Sequence, residues 1–403
     1  MTARRVVVTG LGVISALGNN ACEFWTAVQN GSHGFRPLTG FEGLRMPMAA
    51  RVAGYQPNQW FEPKEIDLLD EFAQFGAIAA REAVEDSGIE WKSDMRERSG
   101  VITGSCVGGK STEDASFRDL YALNRQRFHP MIVPRTMANA AASYITMRYG
   151  LTGPSFTLST ACSSSSHAIG QAFWLIRQGT LDAAITGGSE APFSLGHLKA
   201  WEALRVVAPE TCRPFSKDRK GMILGEGAAM LVLETLEMAQ ARGARIYAEI
   251  AGFGMGADAH HITQPSAEGC ARAMRSALDD AGIFPDQVGY INAHGTGTVA
   301  NDATETAAIR MAFGSAADRL AVSSTKSMHG HTLGAAGAVE AVAAVLGLRE
   351  GFLPPTANFQ QADPQCDLDV IANVGRRADV EYALSNSFAF GGLNAVLALR
   401  RYA

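Results

Sequence analysis

Short apolar runs of strand character alternate with longer stretches of helical periodicity along most of the chain. The pattern predicts a strand at 5–9, a helix at 22–30, a long helix at 67–87 and a strand at 99–103. It continues with a strand at 155–158, a helix at 163–178, strands at 183–187 and 228–234, and a helix at 236–242. After Gly243 the alternation starts again: strand 247–254, helix 267–281, strand 288–292, helix 302–313, strand 320–323, helix 333–348, and closing strands at 382–386 and 395–399. Such alternation marks an α/β fold. Two successive units point to a duplication, an inference from element order alone, and divide the chain into halves 1–245 and 246–403. Segments 19–60 and 192–221 are rich in Gly, Pro and polar residues, break the alternation and read as insertions.

The chemistry begins at Ser159-Thr160-Ala161-Cys162-Ser163-Ser164-Ser165-Ser166-His167, where a strand gives way to a helix. A thiol at the first turn of a helix lies where unpaired N–H groups and the macrodipole favour the thiolate. The plain alternative is a small buried hydrophobe; four consecutive serines argue against it, since a polar helix start seldom enters a dry interior. His294, in Asn292-Ala293-His294-Gly295-Thr296-Gly297-Thr298, ends an apolar strand, where open α/β sheets place their ligands. Thr296 and Thr298 can offer hydroxyls to a ligand or cap the next helix. His331 opens a Gly/Ala-rich helix after Lys326-Ser327-Met328-His329-Gly330. His329 reads as a bystander, and Lys326 as either a surface charge or a partner of Glu305. Phe388-Ala389-Phe390-Gly391-Gly392 offers aromatics on a glycine hinge that can close an apolar pocket.

Bulk properties exclude several classes. Thirty-five basic against forty acidic side chains give a net charge of −5 without a block of like charge, so nucleic acid has no electrostatic footprint. The six cysteines show no CxxC and no metal-ligand spacing, which suits reduced thiols in a cytoplasm, five of them packing residues. No metal is expected. Neither a signal-peptide core nor a membrane span is legible, because the most apolar helical stretch, 333–348, is interrupted by Glu340.

The elbow Thr160-Ala161-Cys162-Ser163-Ser164, the string from His294 to Thr298, Lys326 to His331, and Asn386 to Gly392 resemble, in order, a β-ketoacyl-[acyl carrier protein] synthase of the elongating, type II kind. The resemblance runs from Arg5-Val6-Val7-Val8-Thr9-Gly10 to the last strand. It implies a thiolase-like αβαβα five-layered sandwich of two duplicated halves, and a dimer. It implies that Cys162 takes an acyl group from a carrier-protein thioester and that the carbanion of decarboxylated malonyl-carrier protein attacks the acyl-cysteine. His294 and His331 would stabilise the enolate, backbone N–H groups of Cys162 and Phe390 would form an oxyanion hole, and Lys326 tied to Glu305 would hold His331. Val107, Trp201, Phe388 and Phe390 would shape the acyl pocket and its gate, and Thr296 and Thr298 would touch pantetheine. The only prosthetic group implied is the 4'-phosphopantetheine of the carrier protein. Lys64, Arg125, Arg127 and Arg205 would meet the acidic carrier.

Departures from the family pattern are Val107 in place of a bulkier Ile, Ala389 in place of Gly, and His329 and Leu393 in place of Thr. Asp67 and Leu68 stand where more basic residues are usual. A methylene less at 107 is worth on the order of 1 kcal/mol in discrimination, which hints at a specialised acyl chain of nodulation or polyene type. A degradative thiolase needs a second cysteine in a Gly-rich C-terminal loop, where this chain has only Cys366; an initiating synthase has Asn where His331 stands. A non-catalytic chain-length subunit would lack Cys162, but the catalytic half of such a heterodimer stays open alongside a homodimer.

Overall fold

The alternation builds one mixed sheet of eleven strands, two copies of a five-strand unit with the two-residue strand Asp369–Val370 added at one edge outside the repeat, in a computed structural model that describes residues 3–402. In chain order the strands are β1 (Val6–Ser15), β2 (Ser99–Gly104), β3 (Phe156–Leu158), β4 (Ala183–Glu190), β5 (Gly227–Thr235), β6 (Ala248–Ala257), β7 (Val288–Asn292), β8 (Ala321–Ser323), β9 (Asp369–Val370), β10 (Tyr382–Phe388) and β11 (Leu393–Arg401). Across the sheet they run β9-β8-β7-β10-β11-β6-β1-β5-β4-β2-β3. Each half therefore has the order third, second, fourth, fifth, first. Directions match too: the second strand is parallel to the third and fourth, and the fifth is antiparallel to the fourth and first. The first strands, β1 and β6, pair antiparallel and join the halves.

Helices complete five layers. Outside the N-terminal half lie α1 (Glu71–Ser87) and α2 (Ala140–Tyr149); between the halves lie α3 (Ser164–Arg177) and, from the C-terminal half, the helix Ala336–Glu350. Helix α4 (Leu195–Leu204) sits beyond β4, and α5 (Ala267–Ala281) and α6 (Val299–Phe313) cover the far face. The helix Ala336–Glu350 is α7. Its residues from Ala336 to Leu348 are all buried because both faces meet sheet or helix, which is why its sequence carries no amphipathic stripe.

Several boundaries differ from expectation for identifiable reasons. The strand expected at 5–9 continues to Ser15, since Gly10 and Gly12 are pressed against α1 and do not turn. A Cβ on either would fall 2.0 Å from a carbonyl oxygen, of Ala83 and Ala79 respectively. The helix expected from 67 begins at Glu71, capped by the Asp70 side chain. The helix Lys110–Tyr121, which buries no residue, and the alanine-rich α2 lack the periodic apolar stripe that would have announced them. The helix expected at 22–30 is present as Ala21–Gln29, and the expected insertion 192–221 holds α4. Among the described residues no helix is long and apolar enough to cross a membrane.

Candidate active site

Cys162 sits between β3 and α3 on a turn whose preceding residue, Ala161, has φ of 54°. A left-handed conformation at a residue with a Cβ costs about 1–2 kcal/mol, and here it re-aims the chain into the helix start. The expectation that four serines keep this helix start out of a dry interior is corrected: Ser163, Ser164, Ser165 and Ser166 are all fully buried. Each hydroxyl is satisfied. Ser163 donates to the carbonyls of Thr160 and Leu393, Ser164 to that of Ala161, Ser165 accepts from the N–H of Ala338, and Ser166 pairs with Ser387. The serines are the means by which α3 docks on α7 and β10. Burial also reverses the expected thiolate preference. It pushes the Cys162 thiol up to about 11, against the pull of the Lys326 charge and of the backbone N–H of Phe390, which points at the sulfur.

Both imidazoles are buried and neutral. Desolvation first, then the Lys326 charge, hold His294 and His331 well below the ordinary histidine range. Their rings stand 5.5 Å apart and nearly perpendicular. Nδ1 of His294 faces Lys326 Nζ at 3.3 Å, and Nδ1 of His331 accepts the N–H of Leu333 at 3.1 Å. An ammonium and an amide are donors, so in each neutral ring the proton resides on Nε2. Nε2 of His331 is buried without a partner.

The pairing expected between Lys326 and Glu305 does not form. Lys326 Nζ instead bonds Glu340 of α7 and donates to the carbonyl of His294 at 2.7 Å. Burial pushes the Glu340 carboxyl up to about 7 against that attraction. Glu305 receives the N–H groups of His294 and Gly295 at 2.9 and 2.8 Å and the amide of Asn386 at 3.1 Å. It braces the loop. Glu340, which the sequence showed only as an interruption in an apolar helix, was the missed residue. The signal was present, because a charge inside such a helix requires a buried partner. Glu190 was missed as well. Its carboxylate accepts the N–H groups of Cys106, Val107 and Gly334 and the Ser105 hydroxyl.

Cys162, His294, His331, Thr296, Thr298, Phe388 and Phe390 line one cavity of about 110 Å³. The segment 261–265 forms part of its wall. Thr298 caps α6 by accepting the N–H of Asn301, and it also lines the cavity. Val107 and Trp201 do not line this cavity: Val107 hangs from Glu190, and Trp201 stacks behind Phe390 at 6.1 Å. His329 is buried against Thr325, at 3.0 Å, and also lies outside the lining. Of the docking arginines, Arg205 caps α4 beside Val206 of the cavity wall, whereas Arg125 is held by Asp119 at 2.8 Å. Lys64 lies on the short helix Pro63–Ile66, and neither it nor Arg127 reaches the cavity. All six cysteines are free, and Cys22, expected to be packed, is exposed.

A buried thiol on a strained turn, two Nε2–H donors and an inward backbone amide in one cavity define an acyl-transferring condensing centre. The chain belongs to the β-ketoacyl synthase family: residues 3–239 match the family model for the beta-ketoacyl synthase N-terminal domain, and 247–360 that for the C-terminal domain. It is 47% identical to nodulation protein E of Rhizobium sp. (strain N33), over 99% of each chain. Identity to the 3-oxoacyl-[acyl-carrier-protein] synthase 2 of Coxiella burnetii (strain RSA 493 / Nine Mile phase I) is 44%, over 100% of this chain and 99% of that protein. The solved ishigamide ketosynthase/chain length factor superposes with a TM-score of 0.95 over all of both chains, at 39% identity.

Proposed function

We propose that this ketosynthase elongates an acyl chain by condensing an acyl-Cys162 thioester with malonyl-acyl carrier protein. The sulfur of Cys162 attacks the carrier thioester carbonyl, the C–S bond to pantetheine breaks, and the thiol proton leaves with the departing sulfur. The N–H groups of Cys162 and Phe390 hold the oxyanion that forms on the way. Malonyl thioester then loses CO2, and its enolate oxygen receives the Nε2–H donors of His294 and His331. The enolate carbon attacks the acyl carbonyl, a C–C bond forms, and the C–S bond to Cys162 breaks, the departing thiolate taking a proton from water to restore the thiol. Thr296 and Thr298 line the entry for pantetheine, Lys326 keeps His294 in its donating tautomer, and Arg205 contributes to carrier docking.

One observation carries the reading: Nδ1 of both imidazoles is committed to a donor, so both Nε2–H groups remain for a developing oxyanion. On this reading the enzyme works in the cytosol, brings no cofactor beyond the carrier's pantetheine, and divides into functional halves near residue 245. The kinship to a nodulation protein supports a specialised acyl chain. A second reading, the catalytic half of a heterodimer with a chain-length subunit, draws support from the likeness to the ishigamide protein.

Intact-mass analysis with acyl-carrier proteins tests the assignment. Wild-type protein should gain one acyl group and Cys162→Ala none. His294→Ala and His331→Ala should still be acylated but should each lose about 10²–10³-fold in condensation, the usual cost of one oxyanion donor. Normal condensation in both histidine variants would overturn the roles of the two imidazoles.

A further inference from the structure

Trp201 brings a problem of its own. An indole N–H can only donate, and this ring is 7% exposed in an apolar cluster with Phe193, Leu198, Met222 and Leu333. Its partner is His197, one turn earlier on α4, whose Nε2 accepts the N–H at 2.9 Å with the two rings 80° apart. Neutral imidazole with the proton on Nδ1 can do this; imidazolium cannot. Trp201 in turn lies nearly parallel to Phe390, at 23°, and the backbone N–H of Phe390 is the group aimed at the Cys162 sulfur. A continuous chain of contacts therefore runs from His197 at the protein surface through two aromatic plates to the oxyanion donor.

We propose that His197 is a positioning residue: by accepting the indole N–H it fixes the plate on which Phe390 rests, and so holds the Phe390 amide on the nucleophile. The inference rests on Cys162 being the acylated residue. Gly391 and Gly392, with φ of 82° and 71°, follow Phe390 and are pinned on one side, the Gly391 N–H on the Ile262 carbonyl at 2.7 Å and the Gly392 carbonyl on the Asp258 N–H at 2.9 Å. The ring of Phe390 itself is restrained by Trp201. Groups facing His197 are Lys110, Glu113 and Asp114 of the helix Lys110–Tyr121, which share its groove. Lys110 is paired with Glu113, and Asp114 accepts the N–H of Gly196 at 3.3 Å. Burial first, then Lys110, keep the imidazole below its ordinary value against Asp114, so the accepting form prevails at neutral pH.

The test is the rate at which acyl-carrier protein acylates the enzyme, followed by intact mass with Cys162→Ala as the blank. His197→Phe, which strands the indole N–H, should slow acylation about tenfold, the equivalent of 1.4 kcal/mol. His197→Gln, which restores an acceptor, should recover most of the rate. Because Gln does not titrate, the wild-type rate should fall relative to that of His197→Gln as pH drops below the histidine range. The unpaired indole N–H should by itself lower the melting temperature of His197→Phe, so the pH profile against His197→Gln is the readout that separates positioning from packing. Equal rates in His197→Phe and wild type, or a Gln variant as slow as the Phe variant, would overturn the proposal while leaving the condensing reading intact. A wild-type enzyme that takes no acyl group at all would end both.

Discussion

The loop after the second strand of each half is built on the same plan and put to different use. After β2, the amides of Cys106 and Val107 are gathered by the Glu190 carboxylate; after β7, those of His294 and Gly295 are gathered by Glu305. The correspondence extends to the turn after the third strand. There the N-terminal half carries Cys162 behind Ala161 at φ 54°, and the C-terminal half carries His331 ahead of Leu333 at φ 48°. Duplicated backbone geometry thus brings one sulfur and one imidazole to matching helix starts. What differs is the filling between the layers: α3 is held by neutral serine hydroxyls, whereas α7 holds the buried pair of Glu340 and Lys326. The turn of Cys162 is seated rigidly without a charge. On the other side the Lys326 charge faces His294 Nδ1 and fixes which nitrogen of that ring carries the proton, while the Leu333 N–H does the same for His331.

Breaking that pair should give the largest effect. Lys326→Met leaves Glu340 as a lone carboxyl in the central layer, at a cost of about 3–5 kcal/mol in denaturant unfolding. It also removes the donor on His294 Nδ1. Lys326→Met combined with Glu340→Leu replaces the pair with apolar volume and should recover most of the stability without recovering malonyl decarboxylation. Recovery of both together would mean that the lysine serves the fold and not the tautomer. The serine end of α3 is held by hydroxyls, and its ionic contact, Arg177 with Asp280 at 2.6 Å, lies at the far end of the helix, so Ser166→Ala should leave the acyl-enzyme yield unchanged.

The two bracing carboxylates sharpen the comparison at smaller scale. Glu→Gln at either position places an amide N–H₂ against backbone donors, with an expected loss of about 1–3 kcal/mol. Glu305→Gln should in addition slow decarboxylation, since only that loop carries an imidazole, while the acylation rate of Cys162 stays near wild type. Glu190→Gln should act on stability more than Glu305→Gln, because Glu190 also grips Gly334 and so ties the two halves together. A decarboxylation defect as large in Glu190→Gln as in Glu305→Gln would show that the loops are not divided in labour.

Much of this was legible in the chain. Strand and helix order, the duplication, Cys162, His294, His331 and the Phe390 loop were all readable, because each rests on local pattern or on a short motif next to a strand end. The pairing of Lys326 was not. Glu305 and Glu340 are both acidic residues within helices, and only the packing of α7 between the halves decides that Glu340 meets the lysine. Buried serines misled for the same reason. A hydroxyl reads as solvent-facing until the carbonyl that receives it, such as that of Leu393, arrives from a strand some 230 residues away. The bond from Trp201 to His197 was within reach, being an i, i+4 pair on one helix, but nothing local said that the indole would be buried.

The acid–base balance of the two halves supplies the gentlest test. Burial pushes Glu82, Glu190 and Glu226 in the first half, and Glu340 in the second, up to about 7, from 4.5 for a free glutamate, and Asp302 up to about 6. A carboxyl raised on folding binds more protons in the native than in the unfolded chain, so stability falls as pH climbs from about 4.5 to 7. His294 and His331 are depressed and act with the opposite sign. Below 6.5 the unfolded chain takes up the protons that the native rings refuse, so stability rises with pH until that point. Between 6.5 and 8 the raised carboxyls lead, and the buried thiols, raised on folding as well, add to the decline in the same direction. The melting temperature should therefore be higher at pH 6.5 than at pH 8. Glu82→Gln, on the outer helix α1 where the carboxylate takes the N–H groups of Val13 and Ala21, should flatten the decline without shifting its acid limb. His331→Ala should weaken the acid limb and leave the decline above 6.5 in place. A melting temperature that rises between pH 6.5 and 8 would mean that these glutamates are ionised and paired in the native protein.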